Sequence, residues 1–202
     1  MPNNEDEVVK IARIGNEELR IFQDEESESP REWDNLGKMV CFHRRYNLGD
    51  KHDFKTPSEF DAWIKRRKVV MLPLYLLDHS GISMQTHDFG DGYIPRFDSG
   101  QVGYIYATYK DIKENFGLKT VGDELIKRTK EILEGEVRTY DMFLRGEVYG
   151  FQLVKIAECE KCKKEEEETI DSVWGFYGDD FEQNGMLENL EDKWKIELAK
   201  EI

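Results

Sequence analysis

The chain of 202 residues carries 43 acidic and 29 basic side chains, a formal net charge of −14, and its 11 Phe, 9 Tyr and 4 Trp exclude the composition of a disordered protein. This length suits one medium-sized domain with a buried core. No window approaches the roughly 18 consecutive apolar residues of a membrane span, and the first ten residues lack a basic stretch followed by an apolar one. Three cysteines are too few for a secreted disulfide framework. We therefore predict a soluble, intracellular protein with no membrane partner.

The acidity is concentrated at the two ends of the chain. Residues 1–32 contain 10 acidic and 4 basic side chains (net −6), and residues 158–202 contain 15 acidic and 6 basic ones (net −9). The segment 33–157 contains 18 acidic and 19 basic side chains (net +1). Because binding to a phosphate backbone needs clustered Lys and Arg, this distribution disfavours direct binding to nucleic acid.

The first elements are a hairpin, a loop and a strand. Residues 8–22 alternate apolar and polar side chains about the turn pair Gly15-Asn16, which predicts a hairpin. Residues 23–32 are acidic and rich in serine, which indicates a loop. Residues 38–46 alternate again and predict a strand.

A helix follows with a clear start signal. Thr56 is a good N-cap, Pro57 suits the first helical position, and Glu59 completes a capping box. We expect this helix to reach about Lys68. Its last turn is a basic cluster at residues 65–68, and the favourable interaction of cations with a helix C-terminus accounts for that cluster without an anion site.

The middle of the chain predicts two central strands. Residues 69–77 are almost continuously apolar, as in a strand buried on both faces. Pro73 cannot donate a hydrogen bond, so it predicts an edge position or a bulge there. Residues 102–108 form the second central strand, and residues 109–116 form a short helix ended by glycine.

The second half contains a long helix, a strand pair and a terminal helix. Apolar residues over 120–145 recur at spacings of three and four, which predicts the long amphipathic helix. Residues 147–157 and 169–177 predict two strands joined by a charged hairpin over 158–168. Residues 187–202 predict the C-terminal helix.

These elements predict an α+β fold. We expect a single mixed, mostly antiparallel sheet with one long and two or three shorter helices packed on it. The expected organisation is an N-terminal hairpin region at residues 1–18, a single α+β domain at 19–190 with the acidic loop and the charged hairpin, and the C-terminal helix.

Two similar turns, Asp78-His79-Ser80-Gly81 and Asp98-Ser99-Gly100, each lie at one end of a predicted strand. A shared-proton aspartic protease site needs two lobes that each supply one aspartate, and a separation of 20 residues excludes it. The turns predict a cleft at one rim of the sheet, where sites usually lie. The alternative is that these side chains only bond their own backbone. If the protein is an enzyme, the candidate catalytic residues are Asp78, His79, Ser80, Asp98 and Ser99, with Gln101 as a binding residue.

Metal and cofactor signals are weak. Cys159 and Cys162, together with Cys41 and His43, have the side-chain types that zinc prefers. A second close ligand pair is missing, and a tip rich in Lys and Glu needs no metal. The chain has no P-loop, no G-x-G-x-x-G, no His-Glu-x-x-His and no G-x-S-x-G. We therefore predict no cofactor, with zinc as the alternative.

Five strings resemble, in order, a family of small proteins encoded by bacteriophages and prophages, a family without an assigned activity: REWDNLGKMVCFHRRYNLGD, LPLYLLDHSGISMQT, FDSGQVGYIY, EVRTYDMFLRGEVYGF and DSVWGFYGDDFEQNGML. The resemblance covers the chain from about residue 18 to residue 190. It implies a viral accessory protein located in the cytoplasm of the infected host cell. Accessory phage proteins frequently bind a host protein, and several antirestriction types are acidic mimics of DNA.

Two functions follow from these observations. The first is a protein that binds and inhibits or redirects a host protein, such as a nucleic-acid-binding defence nuclease complex, through its acidic ends. The residues expected at that surface are Trp33, Trp174, Tyr177, Glu25, Glu26 and Glu28, although aromatic residues are most often core. The second is a small-molecule-binding or hydrolytic protein whose site lies at the two turns. The charge distribution and the resemblance favour the first, and thus a binding protein over an enzyme.

Overall fold

The structure is a computed structural model of the chain, and it describes residues 8–90, 98–158 and 165–199. These residues form two compact units, described separately below. Unit 1 comprises Met1–Glu28 and Gly146–Ile202, and unit 2 comprises Ser29–Arg145. None of the helices in these ranges is long and apolar enough to cross a membrane.

Unit 2 is inserted in the sequence of unit 1, between two of its paired strands. The chain leaves unit 1 after residue 28 and returns at Gly146. On the unit 1 side, the Asp24 amide donates to the Val148 carbonyl at 2.7 Å, and the Gln23 side chain donates to the Gly146 carbonyl at 2.7 Å. The two ends of the interrupted unit are therefore held close together, which is the arrangement that tolerates an inserted segment.

Unit 1 contains a four-stranded antiparallel sheet with one apolar face. Its strands in spatial order are β1 (Val8–Ile14), β2 (Glu17–Gln23), β7 (Val148–Glu158) and β8 (Glu165–Tyr177). β1 and β2 form the predicted hairpin, with Ile14 opposite Glu17.

A C-terminal segment covers the apolar face of this sheet. It consists of a 3-10 helix (Met186–Asn189) and the helix α4 (Asp192–Ala199). Met186, Leu190, Trp194 and Leu198 are buried against strand residues such as Leu19, Ile21, Phe151 and Leu153. The apolar stripe of the predicted C-terminal helix is therefore used for packing, but the expectation of one helix over 187–202 is wrong, because Leu190 adopts an extended backbone that separates the 3-10 helix from α4.

Unit 2 contains a second four-stranded antiparallel sheet. Its strands in spatial order are β3 (Lys38–Cys41), β6 (Ser99–Thr108), β4 (Val69–Asp78) and β5 (Ile82–Gln85). The helices of this unit are α1 (Pro57–Ile64), α2 (Tyr109–Phe116) and α3 (Asp123–Leu144). A short 3-10 helix, Pro30–Glu32, precedes β3.

Both faces of the unit 2 sheet are covered by helices. On one face, Met39, Leu74 and Ile105 pack with Ile112 of α2 and Leu133 of α3. On the other face, Val40 and Tyr106 pack with Phe60 and Ile64 of α1. A strand with apolar neighbours on both faces needs apolar side chains at consecutive positions, which explains the run in β4.

The α+β class is confirmed, with one long helix and three shorter ones among the described residues. The prediction of a single mixed sheet is wrong, because the described residues form two sheets and both are antiparallel. The hairpin β1–β2 pairs with β7, far along the chain, and β3 pairs with β6 instead. Alternation within a strand shows its buried face but not its partner strand, so the sequence could not separate the sheets.

Predictions from local sequence signals were more accurate than predictions of which strands pair. Thr56 caps α1 by accepting from the Glu59 amide, but the helix ends at Ile64 and not near Lys68. The Arg67 side chain donates to the Trp63 carbonyl at 2.9 Å and satisfies that free helix end. Pro73 lies in the part of β4 that has no partner in β5, because β4–β5 pairing begins at Tyr75. The β4–β6 register also shifts between Leu74 and Tyr75. The missing N–H of Pro73 is therefore tolerated beside a bulge, on the side of β4 that does not pair with β5.

A buried ionic network joins the start of unit 2 to its long helix. Arg31 has a side chain only 5% exposed, and it donates to both carboxylate oxygens of Asp50 at 2.9 and 2.8 Å. It also donates to Glu136 of α3 at 3.2 Å and to the Gly37 carbonyl at 2.7 Å. Glu136 in turn accepts from the Leu36 and Gly37 amides at 2.9 and 3.1 Å. One guanidinium therefore holds the 3-10 helix, the loop after β3 and α3 together.

We predict that Arg31→Met lowers the free energy of unfolding by about 3 kcal/mol at pH 7, because it leaves two carboxylates without their cation. Burial raises the pKa of Glu136 above its ordinary 4.5. The Arg31 guanidinium opposes this rise, so its removal raises the pKa of Glu136 further in the variant. Protonation of the buried carboxyl at lower pH therefore stabilises the variant more than the wild type, and the deficit of the variant should shrink between pH 7 and pH 5. Urea denaturation at both pH values measures this.

The matched control is Arg138→Met on the exposed face of α3, which should change the free energy of unfolding by less than about 0.5 kcal/mol. Equal losses in the two variants, or a deficit for Arg31→Met that grows at pH 5, would contradict the role assigned to the network.

Candidate functional site

The two Asp-Ser-Gly turns meet at one end of the unit 2 sheet. β4 and β6 pair antiparallel, with Leu77 opposite Ser99. The Asp78 amide donates to the Asp98 carbonyl at 2.7 Å, and His79 Nδ1 lies 3.3 Å from Asp98 Oδ2. The turns therefore share one rim of the sheet, as the sequence predicts.

Two residues from the loop after β3 complete this group. Arg45 donates to Asp78 Oδ2 at 3.0 Å, and the Tyr46 hydroxyl donates to Asp78 Oδ1 at 3.1 Å. The Arg45 guanidinium lies 5.1 Å from the centre of the Tyr46 ring. His43 stacks on the same ring, and its Nδ1 accepts from the Tyr46 amide at 3.2 Å. We define the rim cluster as Arg45, Tyr46, Asp78, His79 and Asp98.

The rim cluster contains a base with an orienting carboxylate. A carboxylate beside Nδ1 fixes the imidazole and leaves Nε2 free to accept a proton, and the His79 side chain is 67% exposed. Among the described residues, neither Ser80 nor Ser99 gives its hydroxyl to His79. The cluster therefore presents a positioned base but no serine nucleophile activated by it.

The two aspartates of the cluster have separate partners. Asp78 is held by Arg45 and Tyr46, whereas Asp98 faces His79. The two carboxylates therefore take part in different contacts within the cluster.

An open depression of about 280 Å³ lies beside the His79-Ser80-Gly81 turn. Ser80 has a left-handed backbone with φ of 55°, which is uncommon for a residue with a side chain and places it at the tip of the turn. Ser83 and Arg145 also line the depression, and the Ser83 hydroxyl is occupied by Asp141 at 2.8 Å. The space suits a small polar molecule at the lower limit of ordinary ligand pockets.

Two other predicted binding residues of unit 2 lie apart from this chemistry. Gln101 is on β6, and its side-chain amide donates to the Gly103 carbonyl of the same strand at 3.3 Å. Trp33 follows the 3-10 helix and is 44% exposed. Neither contact pattern brings these residues into the rim cluster.

The remaining predicted aromatic residues are on β8 of unit 1. The Trp174 ring lies over Gly150, where an added Cβ would come within 2.2 Å of it, and it stacks on Phe22 with 5.8 Å between ring centres. Tyr177 donates its hydroxyl to the Glu28 carbonyl. Trp174 is still 36% exposed, so it combines sheet packing with an accessible ring edge.

The predicted zinc ligands are only partly described. Cys159 and Cys162 lie outside the described residues. Cys41 is buried in the apolar core of unit 2, and His43 accepts two backbone amides and stacks on Tyr46. Within residues 8–90, 98–158 and 165–199, no three His, Cys, Asp or Glu side chains are grouped so as to hold a metal ion. Zinc at the Cys159 hairpin stays a prediction.

The negative charge of the chain belongs to one unit. Unit 1 holds 25 acidic and 10 basic residues, a net charge of −15, whereas unit 2 holds 18 acidic and 19 basic residues, a net charge of +1. Glu25, Glu26 and Glu28 are exposed after β2. Five exposed carboxylates follow one another along β8, and we call them the acidic edge: Glu165, Glu166, Glu167, Glu168 and Asp171.

One member of the acidic edge is paired within the sheet. Arg20 donates to both Glu167 carboxylate oxygens, at 2.9 and 2.6 Å, which lowers the pKa of Glu167. Arg20 and Arg13 also bind Glu18, whose residue is only 1% exposed. Burial alone would raise the pKa of Glu18, but the two arginines lower it below its ordinary value. Asp171 Oδ1 accepts from the Ser172 amide at 2.8 Å, and the side chains of Glu165, Glu166 and Glu168 are exposed.

The sequence did not point to Arg45 and Tyr46 of the rim cluster, nor to the edge position of β8. Arg45 and Tyr46 reach Asp78 across more than 30 residues of sequence, and no local pattern encodes that contact. The run of four glutamates was visible, but it was interpreted as part of a hairpin tip, whereas those residues lie in a strand.

Comparison with protein-family models, with curated proteins and with solved structures found no match. The contacts and charges described above are therefore the basis for the function proposed below.

The reactivity of Cys41 tests whether this thiol is buried in the core of unit 2 and so withheld from a metal ion. Burial raises the pKa of its thiol to about 12, so at pH 8 roughly one thiol in ten thousand is ionised. In a Cys159→Ser/Cys162→Ser variant we predict no labelling by a disulfide reagent at pH 8 in buffer and one labelled thiol per chain in urea. Rapid labelling of the folded variant would contradict the burial of Cys41 and would make it available as a metal ligand.

Proposed function

We propose that this chain is a binding protein whose acidic unit 1 engages a basic surface of a host protein and thereby inhibits or redirects it. The observation that carries the proposal is the separation of charge, with −15 in unit 1 and +1 in unit 2. A random scatter of the same residues would charge both units. A surface of one sign attracts a partner of the opposite sign and speeds its association.

The chemistry of the partner follows from the charge. A protein that binds nucleic acid presents clustered Lys and Arg to phosphates, so a nucleic-acid-binding defence complex has a surface of the required sign. The resemblance to proteins encoded by phages agrees with this partner. An acidic mimic of DNA would need residues 24–32 and the C-terminal helix on one face. Residues 24–28 and that helix belong to the same unit, whereas residues 29–32 do not.

The test compares capture of bacterial proteins by the wild-type chain and by a neutralised variant in which six exposed glutamates of unit 1 become glutamine: Glu25, Glu26, Glu28, Glu165, Glu166 and Glu168. We expect a partner that the wild type recovers at 50 mM NaCl, that is lost at 300 mM NaCl, and that the neutralised variant recovers at least tenfold less, because counter-charge attraction is screened by salt.

The matched control neutralises six exposed acidic residues of unit 2 as the corresponding amides: Glu32, Asp34, Asp53, Asp61, Asp88 and Glu124. It should recover the partner as well as the wild type does. Equal recovery by the neutralised variant of unit 1, or recovery that salt does not change, would reject the proposal.

The rim cluster supports a second candidate, a small-molecule-binding or hydrolytic protein. The favouring observation is that its side chains bind one another, His79 with Asp98 and Asp78 with Arg45 and Tyr46, and do not merely cap backbone groups. A panel of chromogenic esters and phosphoesters tests it. This candidate predicts turnover that falls at least 100-fold in both His79→Gln and Asp98→Asn.

Loss of fold should not explain that decrease. Because the side chain of His79 is 67% exposed, His79→Gln should change the free energy of unfolding by less than about 1 kcal/mol. Absence of turnover in the wild type on every ester and phosphoester would reject hydrolysis.

A further inference from the structure

The longest strand of unit 1 has an open edge. β8 spans 13 residues and is the last strand of its sheet, paired with β7 from Glu165 to Tyr177. In the part of the chain that the structure describes, no strand pairs with its other side. The backbone amides and carbonyls on that side therefore face outwards as a template for one more strand.

The side chains along this edge define which strand fits. β8 carries five carboxylates and no basic residue, with the sequence EEEETIDSVWGFY. Successive residues of a strand point to opposite faces, so the four consecutive glutamates supply carboxylates on both faces. Beyond them, Ile170 is 48% exposed, which adds apolar surface for the same incoming strand.

Charge disfavours a second copy of this chain as the occupant. Like charges on directly opposed strand residues are destabilising, whereas opposite charges in those positions stabilise the pair. A parallel, in-register β8–β8 contact would set every carboxylate against its own copy, and an antiparallel contact over the full strand would set Asp171 against itself. Either contact would also bring together two units of net charge −15. The acidic edge therefore disfavours self-association and favours a strand that carries lysine or arginine.

The opposite edge of the same sheet has different chemistry. β1 has the sequence VVKIARI, with two basic residues and no acidic one. Lys10 donates to the Leu198 carbonyl at 3.1 Å, and Arg13 binds Glu18. A basic strand would meet like charge at β1. A Lys/Arg-rich segment should therefore add to the β8 edge and not to the β1 edge.

We propose that an extended, Lys/Arg-rich segment of the partner adds to the outer edge of β8 as a fifth strand of the unit 1 sheet. This inference rests on the proposed binding function and assigns the surface and the partner chemistry within it. Backbone hydrogen bonds to β8 provide the affinity, and lysine or arginine side chains opposite the acidic edge provide the selectivity.

A fluorescent ten-residue peptide that alternates Lys and Val is the probe, and its affinity for the full-length chain is measured by anisotropy at 50 mM NaCl. Its counterpart has the same sequence with an N-methyl group on every backbone amide, which keeps the charge but removes the hydrogen-bond donors of both edges. We expect binding of the unmodified peptide and at least tenfold weaker binding of the methylated one.

Two charge variants locate the contact. Glu165→Gln/Glu166→Gln/Glu168→Gln on the acidic edge should weaken peptide binding at least tenfold, whereas Glu25→Gln/Glu26→Gln/Glu28→Gln, which removes the same charge elsewhere in unit 1, should weaken it less than threefold. Hydrogen exchange of the full chain should show that the peptide slows exchange of β8 amides and not of β1 amides.

Strand addition is overturned if the unmodified peptide does not bind or if the methylated peptide binds as tightly as the unmodified one. It is also overturned if the two charge variants weaken binding equally or if protection appears on β1. The binding function itself is judged by the capture of a partner from lysate described above. A salt-sensitive partner that is lost on neutralising unit 1, together with equal binding of the methylated and unmodified peptides, would therefore retain the function and reject only the added strand.

Discussion

The pairing of β2 with β7 is the constraint on which the rest of unit 1 depends. It places Gln23 opposite Tyr149 and closes the sheet around the inserted segment of unit 2. The Gln23 side chain also donates to the Gly146 carbonyl, 123 residues later in the sequence. Closing so long a loop costs conformational entropy that grows only slowly with its length. The pairing also brings the two acidic ends of the sequence into one compact unit. The acidic residues at the two ends of the sequence therefore lie in the same folded unit.

Local patterns predicted the elements well, and partners across the sequence poorly. The sequence predicts the turn at Gly15, the helix cap at Thr56 and the bulge beside Pro73. Each of these features depends on neighbours within a few residues. The division into two sheets was not, because it depends on which strand pairs with β7. The nearly neutral segment 33–157 closely matches unit 2. The neutral charge of this segment therefore marks the inserted unit, although charge alone does not predict a separate fold.

The candidate sites show the same difference. The sequence predicted the meeting of Asp78, His79 and Asp98, since two adjacent antiparallel strands bring their connected ends together. It did not predict Arg45, whose contact with Asp78 depends on the path of the loop after β3. The ionic groups also differ in kind. Arg31 is almost wholly buried and bound by two carboxylates, so it serves the fold, whereas the rim cluster is exposed and is available for a ligand.

An acidic edge strand on a unit of charge −15 has two consequences from one physical cause. Repulsion between two units of this charge opposes pairing of β8 with a second copy, and the carboxylates of β8 stabilise an opposed lysine or arginine. A long exposed strand would otherwise be a risk of aggregation. In the proposed strand addition, the exposed glutamates of β8 select a basic strand as the partner. Unit 2 contributes almost no net charge to this selection, so the preference depends on unit 1.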